Sequence, residues 1–108
     1  MYLCRKQIHI PNMTDINYYS SEAIILLQSL IRIPSISREE EAAADFLQTY
    51  IEECGIMTGR SGNNIWCISP MFDINKPTIL LNSHIDTVKP VNGWRRQPFT
   101  PKSENGKI

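Results

Sequence analysis

Between Pro77 and Val88 the chain reads Thr-Ile-Leu-Leu-Asn-Ser-His-Ile-Asp-Thr-Val, and this stretch constrains the fold more than any other. The apolar run Ile79-Leu80-Leu81 is short, continuous and entered through a proline, which is the pattern of a fully buried strand. In extended chain, residues two apart share a face. His84 and Asp86 are therefore expected side by side at the strand's exit, with Ile85 turned into the core. In open α/β sheets, sites form beyond the carboxyl ends of strands, which is where this pair falls. An imidazole that binds a metal through one nitrogen needs its other N–H held, and a carboxylate is a usual holder. The bland alternative is a chance His-x-Asp, since the chain has two histidines and four aspartates and most lone histidines bind nothing. A serine hydrolase built from Ser83, His84 and Asp86 is excluded: neighbours on a strand point to opposite faces, so Ser83 and His84 cannot converge as nucleophile and base.

The rest of the chain supplies helices and turns around that strand. Residues 1–14 show no period and read as a flexible tail, with Met13 a second candidate start. A first helix is predicted over about Ser20 to Arg32, burying a stripe of Ile24, Leu27 and Ile31. Pro34 ends it, because Ile33 before it is pushed out of helical geometry. For the second helix, Ser37 with Glu40 three residues later reads as a capping box. Ala43, Phe46, Leu47, Tyr50, Ile51 and Cys54 follow helical spacing, and Gly55 fits the position just past the end. The acidic run Glu39-Glu40-Glu41 resembles a metal cluster only on paper. In a helix, consecutive side chains diverge, and acids in the first turn complement the helix dipole.

Asn64 to Ser69 reads as a strand entered through Gly62-Asn63 and closed by Pro70. Beyond the His-x-Asp strand, Trp94 and Phe99 are expected to cover a core edge. Arg95 and Arg96 read as solvated, with recognition of a carboxylate as the functional alternative. Asn105-Gly106 is a hairpin signal with only Lys107 and Ile108 after it. The chain thus reads as the amino-terminal part of something longer.

Length and composition exclude several classes. The chain has 108 residues, with Lys+Arg and Asp+Glu balanced at 11 each. That balance gives no footprint for nucleic acid. No apolar run approaches a membrane span, and the start lacks the apolar segment of a signal peptide. Cys4, Cys54 and Cys67 follow no ligand spacing and read as thiols of a reducing cytoplasm. His9 lies in the tail, away from any ligand pattern.

In order, the chain carries Leu30-Ile-Arg-Ile-Pro-Ser-Ile-Ser-Arg-Glu-Glu40, a helix to Gly55, Gly62-Asn-Asn-Ile65 and Leu80-Leu-Asn-Ser-His-Ile-Asp-Thr-Val88. Gly93-Trp94, Pro98-Phe-Thr-Pro101 and Asn105-Gly-Lys-Ile108 follow. From about residue 20 to residue 108 this resembles the start of the M20 family of metallopeptidases and amidohydrolases. Within that family it looks most like the acetylornithine and N-succinylornithine deacylases. The resemblance implies an α/β fold, with residues 15–108 the first part of a zinc-peptidase-like catalytic domain. Its sheet would be mixed and mostly parallel, flanked by helices, with the lid and dimerisation domain absent here. It implies two zinc ions in the complete enzyme, with cobalt or manganese as alternatives.

By the same resemblance, His84 matches a zinc ligand and Asp86 the catalytic-site aspartate that orients it. The reaction would be removal of an N-acyl group from a small amino acid by metal-activated water. The family's remaining ligands and its general base match nothing before Ile108, so the 108 residues alone are expected to be inactive. The full-length protein would be a cytoplasmic homodimer with no nucleic-acid or membrane partner. Two alternatives stand beside this: a di- or tripeptidase or aminoacylase of the same family, and a short non-catalytic interaction module.

Overall fold

A computed structural model describes residues 15–108. The expectations for the tail, Met13, Cys4 and His9 lie outside the described residues. The architecture is α/β: helix α1 (Ile16–Ile31), helix α2 (Glu41–Glu53) and strands β1 (Thr58–Ser61) and β2 (Asn64–Cys67). Two compact units divide the chain, one made of residues 35–89 and the other containing residues 15–34 and 90–108.

In the first unit, α2 is followed by the β1–β2 hairpin, which is antiparallel and pairs Thr58 with Cys67 and Ser61 with Asn64. Gly62 holds a positive φ of 59° at the first turn position, where only glycine is free of strain. Across the ladder, Gly59 faces Trp66, and a Cβ at Gly59 would collide with the indole. Helix α2 ends in the motif anticipated at Gly55. That residue has φ 78°, its N–H donates to Glu52 O, and Ile56 N–H donates to Ile51 O. Polar contacts tie α2 to the hairpin. Arg60 Nη1 meets Asp45 Oδ1 at 2.5 Å and Gln48 Oε1 at 3.1 Å, and Thr58 Oγ1 donates to Glu52 Oε1 at 2.5 Å. Ala43 and Ala44 are the buried apolar residues.

The start of α2 departs from the expected capping box. Glu40 is itself the N-cap and makes no side-chain cap bond. Its carboxylate instead accepts from the Arg38 backbone N–H and from Asn63 Nδ2 at 3.0 Å. Arg38 has φ 77°, a left-handed turn that takes Ser37 out of capping position. Ser37 is engaged elsewhere, as described below.

The run from Thr78 to Asp86 carries no strand ladder, and Ile79, Leu80 and Leu81 are 84, 86 and 90% exposed. The expectation of a fully buried strand is corrected here: among the described residues no neighbouring strand pairs with this run. Parallel pairing among the described residues is confined to one bridge, Ile36 with Thr87. It is made by Thr87 N–H to Ser35 O at 2.8 Å and Ser37 N–H to Thr87 O at 3.2 Å. β1 was not anticipated, and β2 ends at Cys67 rather than Ser69.

In the second unit, α1 starts one turn earlier than expected because Asp15 caps it, its carboxylate accepting the Tyr18 N–H at 3.1 Å. Ile24 and Leu27 are exposed and Ile31 is half-buried, so the expected buried stripe is uncovered. The unit offers no second helix or strand among its described residues against which that stripe could pack. Trp94 is exposed and Phe99 half-buried, so only Phe99 fits the core-edge expectation. Arg95 is exposed, and Arg96 pairs with Glu104 at 2.9 Å. Asn105 and Gly106, at φ 52° and 73°, form the expected tight turn and join Glu104 to Lys107 in an antiparallel bridge.

Candidate metal-binding histidine

The single bridge between Ile36 and Thr87 positions the side chains of interest. Pro34 forces the chain out of α1's helical geometry, and residues 35–37 then run alongside residues 85–87. Residues two apart in such a stretch share a side. His84 and Asp86 meet in this way on one segment, and Ser35 and Ser37 reach that segment from the other. Ser35 is buried, and its hydroxyl donates to Ile85 O at 2.8 Å. Ser37 Oγ donates to Asp86 Oδ2 at 2.5 Å. The other carboxylate oxygen, Oδ1, lies 3.0 Å from His84 Nδ1, which is also 3.1 Å from the Asp86 carbonyl oxygen.

With two acceptors on Nδ1, that nitrogen is the donor, so in the neutral ring Nδ1 carries the proton and Nε2 keeps its lone pair. The His84 side chain is 83% exposed and Asp86 41%. Among the described residues no group bonds Nε2. Hydrogen bonds from Ser37 and then from His84 hold the Asp86 carboxyl below its ordinary range, so it stays ionised where an isolated aspartate would take up a proton. A negatively charged carboxylate behind Nδ1–H makes Nε2 a better donor to a cation.

His84 and Asp86 thus come together as the spacing anticipated. Ile85 is half-buried rather than fully buried. The anticipated partners stop there, because no group of three or more His, Cys, Asp or Glu side chains converges among the described residues. The donor set fits one zinc ligand and its orienting carboxylate, not a closed shell of three or four. Glu39, Glu40 and Glu41 do not join it: Glu40 turns to Arg38 and Asn63, and Glu41 sits in the first turn of α2. No disulfide joins Cys54 and Cys67, both exposed.

Ser37 and Ser35 were missed as parts of this site. The signal available was their own two-residue spacing after a proline, which mirrors the spacing of His84 and Asp86.

No protein-family model matches the chain. Two curated proteins are similar to it. A probable carboxypeptidase of Emericella nidulans is 35% identical over 77 residues, covering 66% of this chain and 18% of that protein. A succinyl-diaminopimelate desuccinylase of Delftia acidovorans is 26% identical over 98 residues, covering 82% of this chain and 25% of that protein. The chain therefore spans a quarter or less of the length of these relatives. Their names, a carboxypeptidase and a desuccinylase, are those of hydrolases.

Proposed function

We propose that this chain is part of a metal-dependent hydrolase that cleaves amide bonds, with His84 Nε2 as one ligand of a zinc ion. The observation that carries the reading is the Asp86 carboxylate on His84 Nδ1 at 3.0 Å, with Nε2 left to a cation. The two hydrolase relatives support the reaction class. A bound zinc supplies a Lewis acid that activates water and polarises the scissile carbonyl. The chain's own residues orient the site: Asp86 holds the Nδ1 proton and keeps the ring from turning, and the bridge at Ile36–Thr87 holds Asp86 in place. The complete enzyme would hold two zinc ions, or cobalt or manganese, and act as a homodimer.

For substrate we propose a small N-acylated amino acid of the N-acetyl- or N-succinylornithine kind, in keeping with the desuccinylase relative. A second reading, a peptidase, is favoured by the carboxypeptidase relative, the more identical of the two. The test uses protein made from the complete reading frame that carries these residues. It is assayed on N-acetylornithine, N-succinylornithine and a panel of dipeptides, with and without chelator. Chelator-sensitive release of the acyl group from the first two supports the deacylase reading. Chelator-sensitive cleavage of dipeptides alone supports the peptidase. Turnover unaffected by full metal removal, or no turnover of any of them by metal-loaded protein, overturns the proposal.

A further inference from the structure

We infer that Ser37 is a positioning residue for His84, acting through the Asp86 carboxylate across 47 residues of sequence. The inference uses the proposed role of His84 for its purpose, but its geometry stands apart from that role. An exposed imidazole is free to rotate about its side-chain bonds and to exchange its proton between the two ring nitrogens. A carboxylate held at one oxygen only can swing with it. Here both oxygens of Asp86 are engaged, Oδ1 by His84 Nδ1 at 3.0 Å and Oδ2 by Ser37 Oγ at 2.5 Å. The second contact comes from a different segment of the chain, so it anchors the pair to something outside its own loop.

That anchor is itself fixed. Thr87 N–H bonds Ser35 O and Ser37 N–H bonds Thr87 O, which sets the register of residues 35–37 against 85–87. The neighbouring Ser35 hydroxyl is buried and spent on the Ile85 carbonyl. Of the two serines, Ser37 alone reaches the carboxylate. A hydrogen bond to a charged acceptor is among the stronger kinds, and it is directional. The order Ser37 Oγ–H, Asp86 carboxylate, His84 Nδ1–H therefore fixes the direction of the Nε2 lone pair. It also explains why Ser37 is not the cap of α2: its hydroxyl has a charged acceptor in Asp86.

The experiment reads the ring rather than the reaction. The ¹⁵N shifts of His84 are recorded in the 108-residue chain at about pH 8.5, where an ordinary imidazole is neutral. His84→Ala separates its signals from those of His9. The inference expects the Nδ1–H tautomer to predominate in the parent and to lose ground in Ser37→Ala. Ser37→Thr, which keeps the hydroxyl, should restore it. Ser35→Ala, which touches the bridge but not the carboxylate, should leave the tautomer ratio near that of the parent. Ser37→Cys, near in size and a weaker donor, should lie between and serves if the alanine variant loosens the fold. An unchanged ratio in Ser37→Ala, a threonine variant that fails to restore it, or an equal effect of Ser35→Ala overturns the assignment. A clamped tautomer, with protein from the complete reading frame that binds no metal, would leave Ser37 its role and sink the hydrolase reading. The reverse outcome, metal-dependent turnover with a tautomer indifferent to Ser37, would do the opposite.

Discussion

The chemistry proposed for this chain rests on two side chains with different jobs, and their variants should separate. His84→Ala removes the donor atom, and in protein from the complete reading frame it should abolish metal binding at this position and nearly all turnover. Asp86→Asn keeps the size of the side chain but removes its charge. It should retain metal while lowering affinity or rate by about 10–100-fold, the usual effect of disturbing an outer partner of a ligand. Zinc competition against a chromophoric chelator, beside steady-state rates, checks both. The closeness of His84 and Asp86 was legible in their two-residue spacing, although the run that carries them forms no strand ladder. Ser37 was misread because Ser-x-x-Glu spacing suits a helix cap equally well. What decides between the two uses is an acceptor in Asp86, 49 residues downstream.

At the scale of elements, α2 and its terminal glycine were the most readable part, because helical periodicity and the demand for positive φ are both local. Gly55 at φ 78° should not tolerate a side chain: Gly55→Ala is expected to cost about 1 kcal/mol or more in chemical denaturation. β1 was invisible to pattern reading since Thr-Gly-Arg-Ser has no apolar alternation, and its place is set by the polar contacts of Thr58 and Arg60 with α2. Those contacts carry a pH dependence. Hydrogen bonds from Thr58 and then Gln48 lower the Glu52 pKa from 4.5, so its folded value lies below its unfolded one. Its contribution is present above pH 4.5 and is lost as pH falls through the lower folded value. Amide spectra of Thr58 followed downward from neutral pH should report this loss, and Glu52→Gln should flatten it.

Across the whole chain, the α/β class was readable and the burial of the His-x-Asp run was not. Ile79, Leu80 and Leu81 have the composition of a sheet interior, yet burial is a property of neighbours, and among the described residues those neighbours are missing. The same holds for Ile24 and Leu27 on α1. No helix among the described residues is long and apolar enough to cross a membrane. With one metal-ligand candidate brought to the site among the described residues, the 108-residue protein is expected not to turn over substrate alone. Incubating the 108-residue protein and zinc with N-acetylornithine or N-succinylornithine should release no acid above the uncatalysed rate.

Zinc titration of the ¹⁵N-labelled 108-residue chain addresses Nε2 of His84 directly. The expected result is weak, chelator-reversible binding that moves the His84 Nε2 resonance, leaves Nδ1 protonated, and is lost at this position in His84→Ala. Zinc that leaves His84 unperturbed, or that displaces the Nδ1 proton from Asp86 and binds there, would contradict it.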